Sequence, residues 1–166
     1  MRIVAVLWDS LSVLMGPAAR EAGVDVVSYP VRALDGSEKL RDAMFDAALG
    51  ADLVLLYRTT NPFWVEVEDR LEDLAKNKKV VCVGQNPMYW TLSNVDPKVV
   101  SDTYGYLLNG THGNFVRLLR YLEHSFGFSD AEPEPPVTVP WQGLVSLKDP
   151  ERVFGSLEDY FSTYPP

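Results

Sequence analysis

The sequence predicts a three-layer α/β sandwich, and three observations carry that expectation. Short apolar runs stand at residues 3–7, 53–56 and 80–83, each the length of a strand and too short for a helix. The stretches between them repeat their apolar residues at the helical spacing. Each run also ends in a polar and aromatic cluster: Trp8-Asp9-Ser10, then Tyr57-Arg58-Thr59-Thr60-Asn61, then Gly84-Gln85-Asn86-Pro87-Met88-Tyr89-Trp90. Continuous apolar strands are those of a parallel sheet covered on both faces. In such sheets ligands bind beyond the carboxyl ends of the strands, so the three clusters are expected to share one rim.

The elements follow in order. A first strand covers about residues 2–8. A helix at about 10–22 places Leu11, Leu14, Met15, Ala18 and Ala22 on one face, and Gly23 stands where a left-handed C-cap is wanted. A second strand runs from Val24 to Tyr29. Asp35 or Ser37 can cap a second helix at about 38–49, buried through Leu40, Met44, Ala47 and Ala48, and Gly50 ends it. A third strand spans about 52–57. Asn61-Pro62 is an N-cap followed by proline at the first helical position, where a missing N–H costs nothing. The third helix then runs to about Lys76, with Phe63 or Trp64, Val67, Leu71 and Leu74 inward. Its outer face is acidic, and a fourth strand covers 79–83.

Beyond that strand the alternation stops. Asp96-Pro97 repeats the cap-and-proline signal and opens a helix at 97–108, which Asn109-Gly110 breaks. Thr111 caps the next helix to about 125, with Phe115, Leu118, Leu119, Leu122 and Phe126 on one face and Gly127 closing it. Four strands in βαβ units predict a flavodoxin-like sheet in the order 2-1-3-4 with helices on both faces. The switch point then falls between strands one and three, which puts Asp9 and Ser10 opposite Arg58, Thr59 and Thr60.

Composition changes at Ser129. Of the 12 prolines, those at 133, 135, 136, 140, 150, 165 and 166 fall in the last part of the chain. The expected organisation is an α/β domain over 1–128 and a Pro-rich strap with a short helix over 129–166. Asp149-Pro150 is read as the cap of that helix, which ends near Phe161. Val137, Val139, Trp141 and Leu144 are apolar, so the strap is expected to fold back on the body and cover Trp141. The ending Tyr164-Pro165-Pro166 has the chemistry of a linker, and a following domain is expected beyond it.

Charge and composition exclude several classes. The net charge of the 166 residues is -8, which disfavours nucleic acid and anionic membrane surfaces. The single cysteine excludes an internal disulfide and cysteine-based zinc clusters. No apolar run approaches the roughly 20 residues of a membrane span. Met1-Arg2-Ile3-Val4 leads straight into a strand, so no signal peptide and a cytoplasmic location are expected.

The rim chemistry narrows the reading further. Trp8-Asp9-Ser10-Leu11-Ser12 has no glycine and carries an acid, so it does not suit a phosphate. A phospho-acceptor aspartate would be needed at the end of strand three, where Arg58 stands. Cys82 lies inside an apolar run with no glycine before it, which fits a buried structural cysteine and not a nucleophile elbow. His112 and His124 are the two histidines, and neither has metal-ligand spacing. The candidates for ligand binding or for an interface are therefore Asp9, Ser10, Arg58, Thr59, Thr60, Gln85, Asn86, Tyr89 and Trp90. Asp9 and Arg58 could form an ion pair that closes the rim, and Trp64, Tyr89 and Trp90 could stack a flat ligand or pack against another domain.

Taken together, several segments resemble one family. They are Ile3 to Ser10, Leu55-Leu56-Tyr57-Arg58-Thr59-Thr60, Phe63-Trp64, Val83 to Trp90, and Leu92-Ser93-Asn94-Val95-Asp96-Pro97. Tyr106 to Thr111, the helix carrying Asn114, Phe115, Leu118, Leu119, Tyr121 and Leu122, and Pro140-Trp141-Gln142-Gly143 add to these. In order and spacing they resemble the N-terminal region of the cobaltochelatase large subunit, a group shared with the magnesium-chelatase large subunit. Members insert a metal ion into a tetrapyrrole at the expense of ATP. The resemblance implies a parent complex that uses ATP and magnesium, takes cobalt as substrate metal, and serves cobalamin biosynthesis. The implied partners are the rest of the large subunit, an ATPase subunit and a metal-ion-adhesion subunit.

The family's insertion chemistry belongs to the later body of the subunit, so no catalytic residue transfers to this chain. Insertion needs metal ligands and bases for two pyrrole protons. The rim offers one acid, Asp9, and no histidine. The expectation is a non-catalytic domain without metal or cofactor of its own. It would pack on the body and help gate or recognise the corrin or porphyrin. The alternative from the residues alone is a stand-alone flavodoxin-like small-molecule-binding or regulatory domain.

Overall fold

The structure is a computed structural model that describes residues 1–138 and 143–165, without the side chains of Pro150 and Glu151. Four parallel strands, β1 (Arg2–Leu7), β2 (Asp25–Pro30), β3 (Leu53–Tyr57) and β4 (Lys79–Val83), form a sheet in the order β2-β1-β3-β4. This is the α/β architecture and strand order that the sequence predicts. Pairing runs Ile3↔Leu53 to Val6↔Leu56 and Leu53↔Lys79 to Tyr57↔Val83, which brings the strand ends to one edge.

The period of two along each strand divides the core. Ile3, Ala5, Leu7, Leu53, Leu55, Val81 and Val83 face one layer, while Val4, Val6, Val54, Leu56, Val80 and Cys82 face the other. The first layer holds α1 (Asp9–Ala22), α6 (Pro97–Leu108) and α7 (His112–Ser125). The second holds α2 (Val31–Asp35), α3 (Glu38–Leu49), α4 (Phe63–Glu66) and α5 (Glu68–Ala75). Every core residue of β1 and β3 is essentially inaccessible, as two covered faces require.

The caps are local and specific. Ser37 Oγ accepts from Leu40 N–H, Asp96 from Lys98 N–H and Thr111 from Asn114 N–H. Gly23 and Gly127 adopt the left-handed conformation at the ends of α1 and α7. The expected third helix is divided in two. Asn61 Oδ1 accepts from Phe63 N–H at 2.8 Å, and the helix then breaks at Val67 before resuming as α5. Both Phe63 and Trp64 are buried.

Several elements depart from the sequence expectation, among them the short α2 at Val31–Asp35, for which it has no helix. A 3-10 helix at Pro87–Leu92 follows β4. At the other end, Asp149-Pro150 does not cap a helix. Residues there form strand β6 (Asp149–Phe154), antiparallel to β5 (Leu144–Ser146). The last helix, α8 (Leu157–Thr163), is capped by Ser156, whose Oγ accepts from Asp159 N–H at 3.1 Å. The hairpin forms because Phe154, fully buried, gathers Tyr160 and Tyr164 edge-on at 5.3 and 5.8 Å. Proline is tolerated in a strand that lies at a sheet edge.

Between Glu134 and Val137 the strap lies back on the body. Tyr106 Oη donates to the Glu134 carbonyl at 2.7 Å, and Arg117 pairs with the Glu134 side chain at 2.9 Å. Val137 is bound by Asn114, yet its side chain remains exposed. Trp141 and Val139 lie outside the described residues.

Candidate functional site

The site is the carboxyl edge of the sheet, and its geometry begins with the backbone. Arg58 N–H donates to the Val83 carbonyl at 2.7 Å, which carries the β3–β4 pairing one residue past the strand. Gly84 follows at the point of closest approach. A Cβ there would lie 2.3 Å from the Arg58 carbonyl oxygen and 2.9 Å from Tyr89 Cδ2. Only glycine lets the two loops meet.

From that junction the chain turns into the 3-10 helix. Asn86 Oδ1 caps it by accepting from Met88 N–H at 3.0 Å, and Pro87 occupies its first position. Trp90 Nε1 donates to the Gly84 carbonyl at 2.9 Å, and its ring packs 5.1 Å from that of Tyr104. The segment then runs back along the free edge of β4. Ser93 Oγ accepts from Cys82 N–H at 2.9 Å and donates to the Cys82 carbonyl at 3.0 Å. Asn94 Oδ1 accepts from Val80 N–H at 2.7 Å, while Asn94 N–H donates to the Val80 carbonyl. Two side chains thus satisfy backbone groups that an edge strand would leave open.

Arg58 is the charged centre of this edge. The expected ion pair with Asp9 is not made. Arg58 Nη2 instead donates to Glu68 Oε1 at 2.7 Å, and its guanidinium lies 5.0 Å from the centroid of the Tyr89 ring. Its side chain is 13% exposed, and Nε is buried without an acceptor among the described residues. Asp9 is the first residue of α1, where the unpaired N–H groups of the helix start favour a carboxylate. That placement explains why Asp9 is not drawn to Arg58.

These elements surround a cavity of about 740 Å³. Ser10, Arg58, Thr59, Thr60, Gln85, Asn86 and Tyr89 line it. Asp9 and Trp90 do not. Trp90 is a packing residue that also fixes the Gly84 carbonyl. Thr59 has a positioning task, because its Oγ1 accepts from Trp64 Nε1 and from Asn61 N–H, both at 3.3 Å. Ser10, Thr60, Gln85 and Asn86 are exposed.

The rest of the wall is not in the list drawn from the sequence. Trp8, 43% exposed, and Tyr57 add aromatic surface, and Leu11, Leu107, Leu108 and Gly110 close the far side. Trp8 has a sequence signal, since a large aromatic directly after a buried strand stands on the rim. Leu107 and Leu108 have none, because only the packing of α6 on α7, and of α7 on α1, brings their turn to the cavity.

The titratable groups near the cavity are few. Burial pushes the Cys82 thiol up to about 12, so it stays protonated and is no nucleophile. Burial, with Tyr104 beside it, also raises the Tyr57 hydroxyl above its ordinary value. Among the described residues no group of three or more His, Cys, Asp or Glu side chains is placed to hold a metal ion. The donors at the rim are hydroxyls, amides and one guanidinium. That lining holds no carboxylate of the kind a hard cation prefers.

The chain shares its fold with the structure described as "Catalytic Subunit of Cobaltochelatase from Mycobacterium tuberculosis". The two agree with a TM-score of 0.63 at 15% sequence identity, over 84% of this chain. The matched part is 11% of that subunit, so this chain spans a small fraction of its relative's length. No family model matches the sequence. No curated protein matches it either. No helix among the described residues is long and apolar enough to cross a membrane.

Proposed function

We propose that this chain is a non-catalytic α/β domain of the large subunit of an ATP-dependent cobaltochelatase, of the N-terminal kind that its sequence resembles. The supporting observation is a convergence. The segments that resemble that family, Trp8 to Ser10, Tyr57 to Thr60 and Gly84 to Trp90, come together at one sheet edge. They do so in a fold that a cobaltochelatase catalytic subunit also contains.

In this reading ATP, magnesium and the cobalt substrate belong to the rest of the complex. The rim donors do not suit them, and no step of the insertion reaction passes through these residues. The domain's work is to pack on the body of the subunit and present the strand-end edge where the corrin or porphyrin is gated or recognised. Residues 1–128 form the packing unit, and the strap that follows lies back on it through Glu134 and Val137. The partners are the remaining large subunit and the ATPase and metal-ion-adhesion subunits, in the cytoplasm.

The test is association in trans. A cobaltochelatase large subunit of the same organism, with its own α/β domain deleted, is mixed with this chain and resolved by size-exclusion chromatography with light scattering. Co-elution as a stoichiometric complex is the expected result. Separate elution at micromolar concentration would contradict the proposal.

A further inference from the structure

We propose that the strand-end cavity binds a small planar organic carboxylate, with Arg58 as its anchor. Three observations lead there. At about 740 Å³ the cavity falls within the roughly 300–1,000 Å³ usual for ligand pockets. Among the described residues Arg58 is the one charged side chain in its wall, so the charge it selects is negative. Glu68 occupies one nitrogen of that guanidinium, and the side chain keeps 13% of its surface exposed, which leaves part of it open to a ligand.

The remaining wall specifies the body of the ligand. Trp8 and Tyr89 supply aromatic surface from two different strand ends, and Tyr89 already lies over Arg58. Flat π-systems stack on such surfaces. The hydroxyls of Ser10 and Thr60 and the amide of Asn86 add neutral hydrogen-bonding groups around the edge. Glu68 does not line this cavity but competes for Arg58, so it sets how much of the guanidinium a ligand can claim. Inorganic phosphate meets no glycine cradle here and gains nothing from the aromatic surface. This proposal rests on the cavity alone. Its failure would leave the chelatase reading untouched, and the reverse also holds.

The test is calorimetric titration of the intact chain with 2-naphthoate, its neutral counterpart 2-naphthamide, and inorganic phosphate. The expected result is naphthoate bound at least about tenfold more tightly than the amide, the increment of one hydrogen bond to a charged group. Phosphate should be weaker than both. Trp8→Leu, at an exposed position, should weaken both naphthyl ligands. Glu68→Gln should tighten naphthoate alone by freeing Arg58, and Arg58→Gln should erase the preference for charge. Equal affinity for naphthoate and the amide overturns the proposal, as does no binding of either. Should Arg58→Gln fail to fold, the ratio in the unmodified chain and the Glu68→Gln response decide the matter.

Discussion

Asn114 holds Val137 by both halves of its amide. Oδ1 accepts from Val137 N–H and Nδ2 donates to the Val137 carbonyl, each at 2.8 Å, so one side chain stands in for a strand partner. Nδ2 also donates to the Asn109 carbonyl at 2.7 Å, which ties the turn between α6 and α7 to the same clamp. Asn114 is fully buried, so its own end of each of these bonds lies away from water.

Asn114→Ala should therefore release the strap. Losing these bonds costs about 2 kcal/mol. For a chain of this size that is a fall in Tm of roughly 4–8 °C. Amide hydrogen exchange at Val137 should speed up by more than that at Leu118 in α7. An unchanged Val137 exchange rate would show that the strap is held by other contacts.

Gly84→Ala tests the junction of the β3 and β4 loops. The added methyl would sit 2.3 Å from a backbone oxygen, which cannot swing aside as a side chain can. A loss of about 2–3 kcal/mol is expected, at the upper end for overpacking. Denaturant unfolding measures it. Gly155, whose Cβ would meet nothing within 4 Å, is the control, and Gly155→Ala should change stability far less.

Ser93→Ala removes the hydroxyl that serves both backbone groups of Cys82 at the free edge of β4. Each orphaned group costs about 1–3 kcal/mol if it stays buried. An edge opened in this way is also a template for pairing with another chain. The variant is expected to lose stability and to self-associate on concentration. Light scattering and urea unfolding report the two effects separately.

The buried thiol of Cys82 gives a pH prediction with a definite sign. Its folded value is raised from 9.0 to about 12 by burial. Between those limits the unfolded chain releases this proton and the folded chain keeps it, so the unfolded state is favoured as pH rises. The stability this group contributes is fully present below pH 9 and declines toward pH 12. Tyr57, Tyr106 and Tyr121 are raised too, chiefly by burial, and contribute in the same direction. The difference between the native chain and Cys82→Ala isolates the cysteine. The native chain should lose stability more steeply with pH across that window, and parallel slopes would count against the buried thiol.

The sheet order, with helices on both faces, is legible in the sequence because the strands are short, wholly apolar and separated by helices with caps. Ser37, Asn61, Asp96 and Thr111 each accept the hydrogen bond that their residue type leads one to expect. The break at Val67 is not legible, since the apolar spacing of Phe63, Val67, Leu71 and Leu74 runs through it unchanged. Asp149-Pro150 misleads because the same pair that opens a helix can also begin an edge strand, and the distant partner Leu144-Val145 decides between them. At the rim, strand ends could be named from their polar clusters. Which of those groups face the cavity depended on pairings such as Arg58 with Glu68 and Trp90 with Gly84, and these are set by tertiary packing. Asn114 as a clamp was hidden for the same reason, since its partner lies in a segment that reads only as proline-rich.

Cobalt insertion in trans tests the central claim most directly. A cobaltochelatase large subunit lacking its α/β domain, with the ATPase and metal-ion-adhesion subunits of the same organism, ATP, magnesium, cobalt and a corrin acceptor, is assayed by the change in corrin absorbance. The account predicts no insertion by this chain alone and a restored rate when the chain is added to the truncated complex. Insertion by the isolated chain, or a truncated complex that gains nothing from it, would contradict the account.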